Sequence, residues 1–93
     1  MYNVCMDKLQ AWKELMAVIR RLMGRGELTK CEKLLNQALE QGLQIFGANR
    51  GEVGLVYVML TQVCEQQGNM GQAEQYRNEA DRIAALYKLD EEV

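Results

Sequence analysis

Histidine and proline are both missing from these 93 residues. Without histidine the chain lacks the commonest general base, the usual titration switch near neutral pH and the commonest nitrogen ligand for zinc. No catalytic site, cofactor or bound metal is therefore expected. Without proline, and with few β-branched residues among many Gln, Glu, Leu, Ala, Met and Lys, the composition is that of an all-α protein. Cysteine is scarce and unpatterned. Cys5, Cys31 and Cys64 form an odd, widely spaced set with no C-x-x-C pair, unlike a secreted disulfide scaffold, so a reducing cytoplasmic setting is expected. Long apolar runs are absent too, since the longest, Leu55 to Leu60, is far short of the ~20 residues a spanning helix needs. The N-terminus has no charged start followed by an apolar stretch, so neither a signal peptide nor a membrane association is expected. Nor does one sign of charge dominate. Eleven Lys and Arg against thirteen Asp and Glu give a net charge of −2, which provides no bulk basic field for nucleic acid. What remains is an ordinary globular balance, 48% apolar and 26% charged, in the length of a single domain, residues 1–93.

Helical periodicity covers nearly all of that length. Leu9, Trp12, Met16, Ile19 and Met23 recur every three or four residues and so share one stripe of a first helix. Asp7 and Gln10 read as its capping box, which places its start near Lys8, and Gly24-Arg25-Gly26 ends it. A second helix is expected from about Thr29 to Phe46, with Leu28, Cys31, Leu35, Ala38 and Leu39 inward, Leu43 and Phe46 extending the stripe, and Gly47 as C-cap. Asn49 and Glu52 suggest an N-cap for a third helix running from Arg50 to Gln66. Gly68-Asn69 makes the next turn, with Asn69 and Gln72 capping a fourth helix. That helix carries Met70, Ala73, Tyr76, Ala80, Ile83 and Tyr87 and frays at Asp90-Glu91-Glu92. Connections this short force neighbouring helices into antiparallel hairpins.

The chain also repeats itself. Gly26 and Gly68 stand 42 residues apart, and the same offset relates Glu32 to Glu74, Asn36 to Asn78 and Ala38 to Ala80. Each unit is a helix, a glycine turn and a second helix with small residues seven apart, Cys31 and Ala38 in one, Ala73 and Ala80 in the other. Small side chains at that spacing let two helices approach closely. The pattern resembles a tetratricopeptide repeat. The places its signature gives to large, small and aromatic residues hold Tyr57, Leu60-Thr61, Cys64, Gly68, Ala73 and Ala80 in the second unit. In the first they hold Leu15, Val18-Ile19, Leu22, Gly26, Cys31 and Ala38. The ordinary period is about 34 residues, and the longer one here is similar to the kinesin-light-chain type, as is the stretch Phe46-Gly47-Ala48-Asn49-Arg50-Gly51-Glu52-Val53. The chain departs from the signature at Arg77, where a large apolar residue usually packs. It departs again at Ile19 and Thr61, where Gly or Ala is commonest, and in lacking the terminal proline. The resemblance implies two stacked antiparallel helix-turn-helix repeats, about 8–47 and 49–89, forming a segment of a right-handed α-α superhelix. A HEAT-like pair, whose unit is about 40–47 residues, and a plain four-helix bundle are the alternatives.

Such stacks leave one face of the first helices lining a concave surface. By resemblance, Lys13, Met16, Ala17, Arg20 and Met23 would line it together with Leu55, Val58, Met59, Gln62 and Gln66. The alternative is that these residues are simply core. Two apolar stripes on the third helix, Tyr57-Leu60-Cys64 and Leu55-Val58-Met59-Gln62, mean that it is either sandwiched or has surface to spare for a ligand. The implied function is a non-catalytic adaptor or scaffold that holds a peptide or helix. Because two repeats leave open ends, a homodimer is expected as well. Alternatives are a regulatory or chaperone-like subunit docking on a larger enzyme or secretion component and, more weakly, nucleic-acid binding through Arg20, Arg21 and Arg25. Cys31 and Cys64 fall on inward stripes and read as packing residues, and the lone Trp12 reads as a core anchor.

Overall fold

The computed structural model describes the backbone of residues 4–92 and the side chains of residues 8–87. Within that range the chain is four helices: α1 (Val4–Arg25), α2 (Leu28–Phe46), α3 (Gly51–Gln66) and α4 (Met70–Glu92). Consecutive helices pack on one another, α1 on α2, α2 on α3 and α3 on α4. The Cα extents are 47 × 38 × 18 Å and the radius of gyration is 14.1 Å, above the roughly 12 Å of a compact domain of this length. The molecule is a flattened slab.

The two glycine turns are built alike. Gly26 has φ 75° and Gly68 φ 81°, values open to glycine at little cost. At the first turn the Gly26 N–H donates to the Met23 carbonyl at 3.1 Å and the Glu27 N–H to the Leu22 carbonyl at 3.1 Å. At the second, Gly68 donates to Glu65 at 3.1 Å and Asn69 to Cys64 at 2.8 Å. These two bonds of one turn map onto those of the other by the 42-residue offset, and both turns have the Schellman pattern. The internal repeat is thus a repeat of backbone geometry.

The core sits where three helices meet. Trp12, Met16 and Ile19 of α1 join Cys31, Leu35 and Ala38 of α2 and Val56, Met59, Leu60 and Val63 of α3 in one buried cluster. Trp12 anchors it as expected. Its indole N–H donates to the Ala38 carbonyl at 3.0 Å, and its ring meets Phe46 edge-on at 5.0 Å. Gly42 makes room, because a Cβ there would stand 3.3 Å from the indole nitrogen. Gly54 plays the corresponding part between α3 and α4, where a Cβ would fall 3.2 Å from Ile83 Cγ2. With Val53, Gly54, Val56, Met59, Leu60, Thr61, Val63 and Cys64 buried, α3 is sandwiched between its neighbours.

Several expected details differ. Asp7 does not cap α1, because the helix already includes Val4 and Asp7 is interior to it. Asn49 does not cap α3. The N-cap position is Arg50, without a side-chain cap, and the first helical N–H, that of Gly51, donates instead to the Tyr87 hydroxyl at 2.9 Å. Asn49 Oδ1 accepts from Arg82 Nη1 at 2.8 Å, and Arg82 Nη2 reaches the Ala48 carbonyl at 3.2 Å. The Asn69–Gln72 cap does form, with the Gln72 N–H donating to Asn69 Oδ1 at 3.4 Å. Leu43 and Met70 are exposed although they continue the expected apolar stripes, and α4 is helical as far as Glu92, across the Asp90-Glu91-Glu92 stretch expected to fray.

The turn geometry yields a paired prediction. Gly24 is helical and Gly26 is not, and neither would crowd a Cβ. Gly24→Ala is expected to raise stability by about 0.5–1 kcal/mol through helix propensity. Gly26→Ala should lower it by about 1–2 kcal/mol, because alanine is strained at positive φ. Urea denaturation of the two variants checks the opposite signs, and equal effects would contradict the turn assignment.

Candidate partner-binding surface

The 42-residue register makes α1 and α3 equivalent helices whose solvent-facing stripes overlap in part, since exposed Ala17 corresponds to buried Met59 and exposed Val58 to buried Met16. On α1 the exposed stripe carries Lys13, Ala17 and Arg20. On α3 it carries Leu55, Val58, Gln62 and Gln66, with Leu55 39% and Val58 42% exposed. Lys13 corresponds to Leu55 and Arg20 to Gln62. Among the described residues neither Lys13 nor Arg20 is engaged in an ion pair. No carboxylate belongs to the set, which gives the stripe two free cations, two half-exposed aliphatic side chains and two amides.

Three residues expected in that set are placed differently. Met16 and Met59 are 3% and 6% exposed and belong to the buried cluster, and Met23 is half-buried against it. Their flexible side chains fill the junction between repeats, which is the packing use of methionine. The pattern of α1 and α3 showed which residues share a stripe, but not how far the neighbouring helix would cover it.

One groove joins α3 to α4. It is lined by Val58, Thr61, Gln62 and Glu65 from α3 and by Arg77, Ala80 and Asp81 from α4. Thr61 is buried and donates its hydroxyl to the Tyr57 carbonyl at 2.8 Å, one turn back. The Arg77 guanidinium bonds the Glu65 carboxylate across the groove. Sequence reasoning brought only Val58 and Gln62 here. The departure at Arg77 was the available signal for the rest. A second groove, between α1 and α2, is lined by Lys8, Ala11, Gln41, Gln44 and Ile45.

Arg20, Arg21 and Arg25 are all exposed; Arg21 and Arg25, four residues apart, share one face of α1, and Arg20 stands about 100° from Arg21 around the helix. Lys30 is paired with Glu27 at 3.2 Å. Among the described residues no group of three potential metal ligands occurs, and no helix is long and apolar enough to cross a membrane.

A family model described as tetratricopeptide repeat matches residues 9–85. No curated protein and no solved structure matches the chain.

The thiols are shielded. Cys31 and Cys64 are free and fully buried, and Cys31 Sγ lies 3.8 Å from the Ile19 carbonyl. Burial is the main cause that pushes both thiols above their ordinary value, with Glu27 adding to the rise at Cys31 and Glu32 at Cys64. Burial likewise raises the phenols of Tyr57 and Tyr76. The side chain of Cys5 lies outside the described residues. Because the folded chain holds these protons more tightly than the unfolded one, the stability they contribute is complete below the unfolded thiol value. That value is about 8.5, and the contribution is lost as pH climbs through the higher folded values. The urea midpoint should therefore hold steady from about pH 6.5 to 8 and fall above about pH 9. In a Cys5→Ser chain, labelling of the two remaining thiols by a disulfide reagent should proceed only through opening of the fold. Immediate labelling under native conditions would contradict the burial.

Proposed function

Because the chain belongs to the tetratricopeptide-repeat family, we propose that it works as a non-catalytic adaptor of the long-period, kinesin-light-chain-like variety. Repeats of this family mediate protein–protein interactions. The ligand in this reading is a peptide or helix from a partner protein, held on the concave side formed by α1 and α3. The observation that carries it is the carboxylate-free stripe of Lys13, Ala17, Arg20, Leu55, Val58, Gln62 and Gln66. Leu55 and Val58 offer surface for two apolar anchors, and Arg20 offers a fork for one carboxylate. Met16 and Met59 contribute from beneath, as the packing that holds the two stripes side by side. The free, buried thiols and the absence of histidine support a role without chemistry, in a reducing cytoplasm.

The reading includes self-association as a homodimer. Its support is the outer side of α1, where Ala11 and Val18 are exposed and Ala11 lines a groove with Lys8, Gln41, Gln44 and Ile45. The equivalents of Ala11 and Val18 in the second repeat, Val53 and Leu60, are buried. A two-fold pairing would give this side the cover that α3 receives from the first repeat.

Two measurements test these statements. Peptides selected from a displayed library on the wild-type chain should lose at least about tenfold in affinity with Leu55→Glu or Arg20→Glu. Helicity should be unchanged, and Asn36→Ala on α2 should have no effect. Equal affinity for the Leu55→Glu chain would remove the concave-face reading. Light scattering at micromolar concentration should give the dimer mass, reduced to the monomer by Val18→Asp. A fully helical wild-type monomer under those conditions would remove the dimer.

A further inference from the structure

We infer that the α3–α4 groove is the seat of a further repeat rebuilt as a charged cap, which closes the stack at that end to any helix hairpin arriving in the same register. The first repeat shows what an open seat is made of. Ile19 of α1 and Leu35 and Ala38 of α2 are fully buried in one cluster with Val56, Met59 and Val63 of α3, and Met23 and Leu39 pack against it. That apolar surface is what α3 rests on.

Moved by 42 residues, the same surface is the α3–α4 groove. Ala38 becomes Ala80, so the small residue that lets a helix approach is retained. The backbone is retained as well, because the turns that join the two helices of each repeat carry equivalent hydrogen bonds. The chemistry is inverted. Leu35 becomes Arg77, Met23 becomes Glu65, Leu39 becomes Asp81 and Ile19 becomes Thr61. The two groups that replace Leu35 and Met23 bind each other, with Arg77 on α4 reaching Glu65 on α3 across the floor of the groove. Asp81 stands beside them without an ion pair among the described residues.

A helix seated here would strip water from that pair and from an uncompensated carboxylate, and burying charges costs more than their mutual attraction returns unless every hydrogen bond is replaced. The departures at Arg77 and Thr61 thus have a physical role. They give a repeat with the right shape a surface that water covers better than protein does, which is the requirement for a terminal unit of a stack. The two ends of the slab are accordingly unlike, one small and partly apolar, the other charged.

The test restores the residues of the first repeat. Sedimentation velocity of the full chain carrying Glu65→Met, Arg77→Leu and Asp81→Leu should show species larger than the wild type. Association should be half-complete at a concentration at least about tenfold lower than for the wild type. The comparison is with the wild-type mass itself, so it stands whether that chain is a monomer or a dimer. The charge-swapped chain, Glu65→Arg with Arg77→Glu, keeps the cap polar and should keep the wild-type mass. If the triple variant loses helicity, Asp81→Leu alone carries the test, with a smaller shift in the same direction. A fully helical restored chain with wild-type mass would overturn the inference. So would a change of mass on charge-swapping, which would mean that the groove is already an interface.

Discussion

A helix covered on two sides holds this molecule together. One side of α3 lies on Ile19, Leu35 and Ala38 of the first repeat, and another faces α4 through Gly54 and Ile83. Neither hairpin alone has enough partner surface to bury its apolar residues, and α3 supplies it to both. The close approaches on either side of it depend on glycine. Gly42 admits Trp12 and Val53, and Gly54 admits Ile83, so the large residues of one helix sit directly on the backbone of the next. The exposed stripes proposed for recognition are what remains of α1 and α3 after this burial has been satisfied.

The parts of the fold that depend on neighbours in sequence were readable from it. The glycine at the end of each first helix, the small residues seven apart and the 42-residue offset all concern local backbone freedom or local packing, and the turns at Gly26 and Gly68 match bond for bond. The parts that depend on distant residues were not. Asn49 looked like a cap because capping is normally local, yet the start of α3 is satisfied by Tyr87, 36 residues on, and Asn49 serves Arg82. Met16 and Met59 looked like groove residues because periodicity sorts side chains into stripes without saying how much of each stripe a neighbouring helix overlaps. Once α3 settles on α1 and α2, both are inside. The remaining stripe residues stayed at the surface, and two of them, Val58 and Gln62, turned out to border a groove whose other wall is α4.

The distribution of polar substitutions divides the surface by task. Ile19, Met23, Leu35 and Leu39 of the stacking surface in the first repeat are apolar, and their counterparts Thr61, Glu65, Arg77 and Asp81 are charged or hydroxylated. The stripe proposed for a ligand has cations and no carboxylate, whereas the α3–α4 groove pairs one arginine with a glutamate and adds an aspartate. A repeated hairpin with one turn geometry thus presents faces of different chemistry.

The reach of α4 back to the connection between repeats has a bearing on how the molecule comes apart. Stacked repeats generally melt as a chain of nearest neighbours, each unit free to fray from an end. Here Tyr87 holds the first amide of α3, and Arg82 holds Ala48 and Asn49. Loosening the end of α4 therefore frees the start of α3 and the connection before it. The tie couples fraying of the last helix to the point where the two repeats join.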